Sequence, residues 1–92
     1  MTPLRATEIG VEALLWLAGQ PQILGRLLAA SGLAPEELRV RAGDPEMLGF
    51  MLEILLQDEP SVLAFTAEVG LPPDAVLQAR AALPGGDAPS WT

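Results

Sequence analysis

The sequence predicts an all-α protein, a compact bundle of five to six short helices. Three observations support this fold class. No segment both alternates apolar and polar residues and is rich in β-branched residues, as a strand would be. Proline and glycine divide the 92 residues into short stretches with helical periodicity. One of these stretches, residues 44–57, is apolar around most of its circumference, which is typical of a helix that other helices surround.

The apolar stretch is the expected centre of the bundle. Between Met47 and Leu56 only Gly49 and Glu53 are not large and apolar. The run is about half the length that a bilayer span requires, so a core helix is expected. On a helical projection the polar positions form one narrow line that should face solvent: Glu46, Gly49, Glu53 and Gln57. The residues expected in the core are Leu17, Leu24, Leu28, Leu38, Leu48, Leu52, Leu55, Leu56, Leu63 and Val76.

Proline and glycine place the helix ends. Proline is favoured at the first helical position because its missing N–H would have no partner there. Thr2 and Asp44 suit the N-cap position, and glycine accepts the left-handed conformation that ends many helices. The predicted helices cover residues 3–18, 21–31, 35–42, 45–57, 60–69 and 73–83. They form one domain, 1–83, followed by a flexible tail, 84–92, in which Trp91 either docks or stays solvated.

The two halves of the chain resemble each other. An offset of 39 residues places Gly10 on Gly49 and Pro21 on Pro60. Each half would then contain one long and two shorter helices, and the bundle would be two copies of a three-helix unit. The alternative is chance similarity in a chain rich in Leu, Ala, Pro and Gly.

Composition excludes most kinds of chemistry. Five arginines against twelve carboxylates give a net charge of −7. This charge repels nucleic acid and anionic membranes, so neither is an expected partner. Because the chain has no Cys, His or Lys, it lacks a thiolate, an imidazole base and a Schiff-base amine. We therefore expect no enzymatic activity, no catalytic residue, no cofactor, no metal site and no small-molecule substrate.

The amino-terminal segment does not fit a signal peptide. Its apolar stretch, residues 9–18, contains Glu12 and follows Glu8. A signal peptide needs an uninterrupted apolar segment after a basic one. A cytoplasmic location is expected.

Two helix–glycine–helix units, at Gly32 and Gly70, raise the alternative of a degenerate helix-turn-helix domain with a DNA-binding or regulatory role. A recognition helix reads bases with Arg, Lys, Asn or Gln. Residues 73–83 offer only Gln78 and Arg80. Residues 35–42 offer two arginines, but they open with two glutamates. Two packed helices joined by a Schellman turn explain these units better.

A candidate interaction surface comes from the comparison of the halves. The offset places Glu8 on Met47 and Glu12 on Met51. Methionine is flexible and polarizable, and adaptable binding surfaces use it often. One interpretation is an exposed patch of Met47, Met51 and Trp16 that closes a homodimer or receives a partner protein. The other is that both methionines pack against the amino-terminal half.

Four motifs resemble one known family. They are Glu12-Ala13-Leu14-Leu15-Trp16-Leu17, the segment 32–39 (GLAPEELR), Asp58-Glu59 before residues 61–65, and Gly70-Leu71-Pro72-Pro73-Asp74 leading to residues 79–84. The family is an uncharacterised group of short, all-helical, mostly alphaproteobacterial proteins that is known only as a domain of unknown function. The resemblance implies a bacterial, cytosolic, helical protein, and it implies no activity or site residue. The expected function is a small non-enzymatic interaction or scaffold module of the bacterial cytoplasm.

Overall fold

The computed structural model describes residues 1–84, which form six α-helices and no strand. The all-α prediction is confirmed, and each helix end lies within two residues of its predicted position. Residues 85–92, which include Trp91 and nearly all of the predicted tail, lie outside the described part of the chain. The helices are α1 (Pro3–Ala18), α2 (Pro21–Ser31), α3 (Pro35–Val40), α4 (Pro45–Leu56), α5 (Glu59–Val69) and α6 (Ala75–Ala82).

The helix ends follow local chemistry. The Thr2 hydroxyl accepts a hydrogen bond from the N–H of Arg5 at 3.1 Å. The Asp44 carboxylate accepts one from the N–H of Glu46 at 2.9 Å. Both predicted N-caps are therefore confirmed. Gly32 and Gly70 each have φ 78°, the left-handed conformation that ends α2 and α5. Gly19 also ends a helix, α1, but its φ is −88°, outside the left-handed region.

The sixth helix begins two residues later than predicted. The carbonyl of Pro72 accepts a hydrogen bond from the N–H of Ala75 at 3.0 Å. This bond closes a tight turn through Pro73 and Asp74 before the α-helical pattern starts. The first α-helical bond of this segment joins the N–H of Gln78 to the carbonyl of Asp74 at 3.0 Å.

Three helices build the centre of the molecule. α1, α4 and α6 pack against one another, while α2 packs on α1 and α4, and α5 packs on α4 and α6. α3 lies at the periphery and contributes Leu38 to the core. The side chains most completely enclosed are Ile9, Leu17, Leu48, Met51, Leu52, Leu55, Phe65, Thr66 and Val76.

Most of the expected core residues are in the core. Leu24 and Leu56 are half-buried rather than buried. The assignment of Leu63 was wrong, because 48% of its surface is exposed. On α5 the buried face carries Ser61, Val62, Phe65 and Thr66, and Leu63 points away from it. The remaining seven expected residues are buried: Leu17, Leu28, Leu38, Leu48, Leu52, Leu55 and Val76.

Glycine sets the distance between α1 and α4. A Cβ atom at Gly10 would lie 3.0 Å from the Cβ of Leu48, closer than such atoms normally approach. The backbones of α1 and α4 can therefore approach closely at Gly10. Any larger residue at this position would require the two helices to move apart. Because the Leu48 Cβ is fixed to its backbone, the neighbour cannot move aside by rotating a side chain.

The polar line of α4 is partly covered, which corrects the expectation that it faces solvent. Gly49 is buried, and a Cβ there would lie 2.9 Å from Nη1 of Arg80. Nη2 of Arg80 donates to Oε1 of Glu53 at 3.1 Å, and Nη1 donates to the carbonyl of Pro84 at 3.2 Å. The Arg80 guanidinium therefore lies over this line and joins α6 to α4.

The internal resemblance is not a structural symmetry. α6 packs against both α1 and α4, whereas its counterpart α3 is peripheral. Gly10 and Gly49 both lie at close contacts, but the first meets Leu48 and the second meets Arg80. Equivalent positions in the two halves therefore have different surroundings.

A pair of glycine substitutions tests the α1–α4 crossing. Gly25 lies within α2, and a Cβ built there meets no atom within 4 Å apart from its chain neighbours and the backbone of its own helix. Gly25→Ala should stabilise the protein by about 0.5–1 kcal/mol through helix propensity. Gly10→Ala gains the same propensity but overpacks Leu48, so it should destabilise by about 1–3 kcal/mol. Urea titrations of both variants measure this, and an equal stabilisation by both would show that α1 and α4 are not in close contact.

A second prediction concerns the pH dependence of the α4 cap. The hydrogen bond from the N–H of Glu46, followed by that from the Arg41 guanidinium at 3.1 Å, holds the pKa of Asp44 below its ordinary value. Its contribution to stability is therefore present above the unfolded pKa, about 3.9, and is lost as the pH falls through the lower folded pKa.

Asp44→Asn keeps the capping oxygen but does not titrate. The wild type should exceed this variant in stability near neutral pH, and the difference should shrink below about pH 4. Urea titrations of both proteins at neutral and acidic pH measure the difference. A difference that is constant, or that grows in acid, would contradict the assignment of Asp44.

Candidate interaction surface

The structure buries the two methionines of the candidate patch. Met47 and Met51 are 3% and 1% exposed. Trp16 is half-buried, and its ring centroid lies 5.7 Å from that of Phe65. The interpretation of Met47, Met51 and Trp16 as an exposed patch was wrong, because both methionines are buried within the chain. The cause is the position of α4, against which α1, α2, α5 and α6 all pack.

The largest exposed apolar side chains of α1 lie on one face. Leu4, Val11 and Leu15 are 72%, 39% and 69% exposed. They stand at i, i+7 and i+11, which places them in one line along a helix. The opposite face of α1 carries its buried residues: Ala6, Ile9, Gly10, Ala13 and Leu17. We call Leu4, Val11 and Leu15 the α1 stripe.

One edge of the α1 stripe is charged. Nη1 of Arg5 lies 3.2 Å from Oε1 of Glu8 and 3.5 Å from Oε1 of Glu12. Arg5 and Glu8 are exposed, and Glu12 is partly exposed. Ion pairs between solvated side chains contribute little to stability, so these groups can exchange partners at small cost. Glu8 lies between Leu4 and Val11 in the line of the stripe, and Arg5 and Glu12 lie to one side of it.

The other edge of the α1 stripe leads into an apolar groove. Leu14 and Ala18 of α1 form one wall of this groove, beside Leu15. Its volume is about 350 Å³. α2 and α3 supply the remaining lining residues: Leu24, Leu28, Pro35, Leu38, Arg39 and Ala42. The stripe and the groove together make an apolar surface that extends from α1 across α2 to α3.

A second groove in the other half of the chain offers a comparison surface. It has a volume of about 340 Å³ and exposes Leu63 and Leu77. Glu59 and Asp74 lie at its rim. Its two exposed leucines lie on different helices, α5 and α6, whereas the α1 stripe is one continuous helix face.

Asp58 links two helices through its carboxylate. Nη2 of Arg26 donates to Oδ2 of Asp58 at 2.6 Å, and the buried Ser61 hydroxyl donates to the same carboxylate. This cluster ties α2 to the start of α5. Within residues 1–84 no three acidic side chains are grouped so that they could hold a metal ion.

Two of the side chains suggested for base reading, Gln78 and Arg80, are also engaged. Nε2 of Gln78 donates to Asp74 at 3.0 Å, and Arg80 donates to Glu53. Ala75, Val76 and Ala79 of α6 are buried. α6 is therefore a packed core helix whose long polar side chains contact acidic neighbours.

Comparison with known protein families gives a match over most of the chain. The family described as "Protein of unknown function (DUF3572)" covers residues 4–86. The chain belongs to the DUF3572 family. The resemblance based on its four motifs is thereby confirmed as a likeness to a family of unknown function. Searches of curated proteins and of solved structures gave no match. In the described part of this DUF3572 protein, no helix has the length and apolarity needed to cross a bilayer.

Paired charge insertions test the two faces against each other. Met47→Glu with Met51→Glu places two carboxylates in the core, and each unpaired buried charge costs several kcal/mol. Because small domains are stable by only about 5–15 kcal/mol, this double variant should lose its cooperative thermal transition. Leu4→Glu with Leu15→Glu changes only exposed positions and should keep the transition. Circular dichroism on heating measures both, and a folded methionine variant would show that Met47 and Met51 are not core residues.

Proposed function

We propose that this DUF3572 protein is a small, non-enzymatic protein–protein interaction module that binds its partner through the α1 stripe. The observation that carries the proposal is the alignment of three large exposed apolar side chains on one helix face. Single exposed apolar residues are ordinary, but several aligned on one helix face of a small domain suggest an interaction site. The proposal places the module in the bacterial cytoplasm, as the family resemblance implies.

The packing of α1 supports this role. Its inner face packs against α4 and α6, and the Gly10 crossing holds it close to α4. The outer face is therefore presented by a helix that is already ordered. Binding to such a face does not require the helix to form, and this lowers the entropic cost of association. The adjoining groove offers additional apolar surface to a partner that is larger than one helix.

The alternative, a degenerate DNA-binding or regulatory domain, has less support. The net charge of −7 opposes contact with phosphates. Arg80 and Gln78 already contact Glu53 and Asp74. A salt-dependent mobility shift on duplex DNA would favour this alternative over the proposed function.

The matched variants Leu4→Glu/Leu15→Glu and Leu63→Glu/Leu77→Glu test the proposal. Both insert two charges at exposed apolar positions, but only the first changes the α1 stripe. The wild type is used to recover a partner from the native host. The identified partner is then purified, and its affinity for the three proteins is measured by calorimetry.

The stripe variant should bind at least about tenfold more weakly, as expected when central apolar contacts are lost. The control variant should bind like the wild type. Equal affinity of all three proteins would contradict the proposal.

A further inference from the structure

We propose that the partner of the α1 stripe is a second copy of this chain, bound so that the two α1 helices lie antiparallel. This inference rests on the proposed function and names the occupant of the same surface. It follows from the spacing of the stripe, the position of Glu8 within it, and the arrangement of charge along its edge.

The spacing is that of a helix-pairing seam. Leu4, Glu8, Val11 and Leu15 follow one another at intervals of four, three and four residues. This is the spacing of the a and d positions of a heptad, which face a partner helix in a coiled coil. Leu4, Val11 and Leu15 fill three of these positions with exposed apolar side chains. The inner face of α1, which packs in the core, lies on the other side of the helix.

The position of Glu8 selects the orientation. In a parallel pair with twofold symmetry, Glu8 would lie opposite the partner's Glu8, which places two negative charges together in the centre of the seam. In an antiparallel pair, a positions meet d positions. Leu4 then lies opposite the partner's Leu15, and Glu8 lies opposite the partner's Val11. The antiparallel arrangement therefore separates the two carboxylates and closes both ends of the seam with leucine contacts.

The charged edge complements itself in the same arrangement. Arg5 and Glu12 lie on one edge of the seam, seven residues apart. In an antiparallel pair, this edge of one helix faces the same edge of the other. Arg5 therefore approaches the partner's Glu12, and Glu12 approaches the partner's Arg5. The twofold axis thus yields two reciprocal ion pairs. Arg5 already lies within 3.5 Å of Glu12 in its own chain, and both side chains are partly solvated, so the exchange needs only side-chain rotation.

The expected dimer is weak. The seam spans four positions of one 16-residue helix, which is less than a standard stable interface provides. We expect a dissociation constant on the order of 1–100 µM, which rises with added salt.

A charge exchange tests the ion pairs. In Arg5→Glu alone or Glu12→Arg alone, like charges meet across the seam, so each variant should dimerise about tenfold more weakly than the wild type. An equimolar mixture of the two variants restores both pairs in a heterodimer and should associate about as tightly as the wild type. Sedimentation equilibrium on the full chain measures each case. A mixture that associates no better than the single variants overturns the proposed pairing.

Cysteine cross-linking tests the orientation, because the chain contains no cysteine. Leu4→Cys and Leu15→Cys are prepared as separate chains that differ in size through a tag. Under mild oxidation a mixture should form the disulfide between position 4 of one chain and position 15 of the other. Either variant alone should form little dimer. A dominant link between two copies of Leu4→Cys, or between two copies of Leu15→Cys, would indicate parallel pairing and overturn the inference.

The two proposals can fail separately. A wild type that stays monomeric up to about 1 mM overturns the second-copy inference, since even a weak dimer would be populated there. The wild type can still bind a different, purified partner in calorimetry. If Leu4→Glu/Leu15→Glu binds that partner more weakly, the proposed function stands without this inference. If the wild type dimerises but Leu4→Glu/Leu15→Glu dimerises equally well, another surface is used and the inference is wrong. Leu63→Glu/Leu77→Glu should dimerise like the wild type.

Discussion

The close crossing of α1 over α4 at Gly10 is the contact on which the rest of the fold depends. A side chain at this position would meet the Cβ of Leu48 at 3.0 Å, so the two backbones are separated by less than an ordinary side chain requires. α6 packs against both of these helices. α2 and α5 pack on this three-helix centre, and α3 lies at its periphery.

The same crossing divides the two faces of α1. Close approach is possible because the inner face carries small residues, Ala6, Gly10 and Ala13, beside the larger Ile9 and Leu17. The large side chains of Leu4, Val11 and Leu15 remain on the outer face, where they are exposed. The candidate binding surface is thus the reverse side of the contact that holds the core together, and the rigidity of the core extends to it.

Local signals in the sequence predicted the helices well, because proline, glycine and the capping residues act within one turn of their own positions. The site was not predicted, because the comparison of the halves assumed equivalent surroundings. Met47 and Met51 correspond to Glu8 and Glu12, but α4 is enclosed by four helices while α1 has a free face. Leu63 was assigned wrongly because the buried face of α5 carries Ser61 and Thr66 beside Val62 and Phe65. The α1 stripe did leave a signal: Ala6, Gly10 and Ala13 recur at i, i+4 and i+7, which marks the face of close helix contact and leaves the larger apolar residues on the other side.

Native-state hydrogen exchange can show whether α1 is a core helix that presents an apolar outer face. Amides in the middle of α1, α4 and α6 should exchange only through global unfolding and should share one free energy of opening. Amides of the peripheral α3 should exchange through smaller openings. If the amides around Gly10 and Ala13 exchanged with a clearly lower free energy than those of α4 and α6, α1 would detach separately from the core, and the account of its two faces would be contradicted.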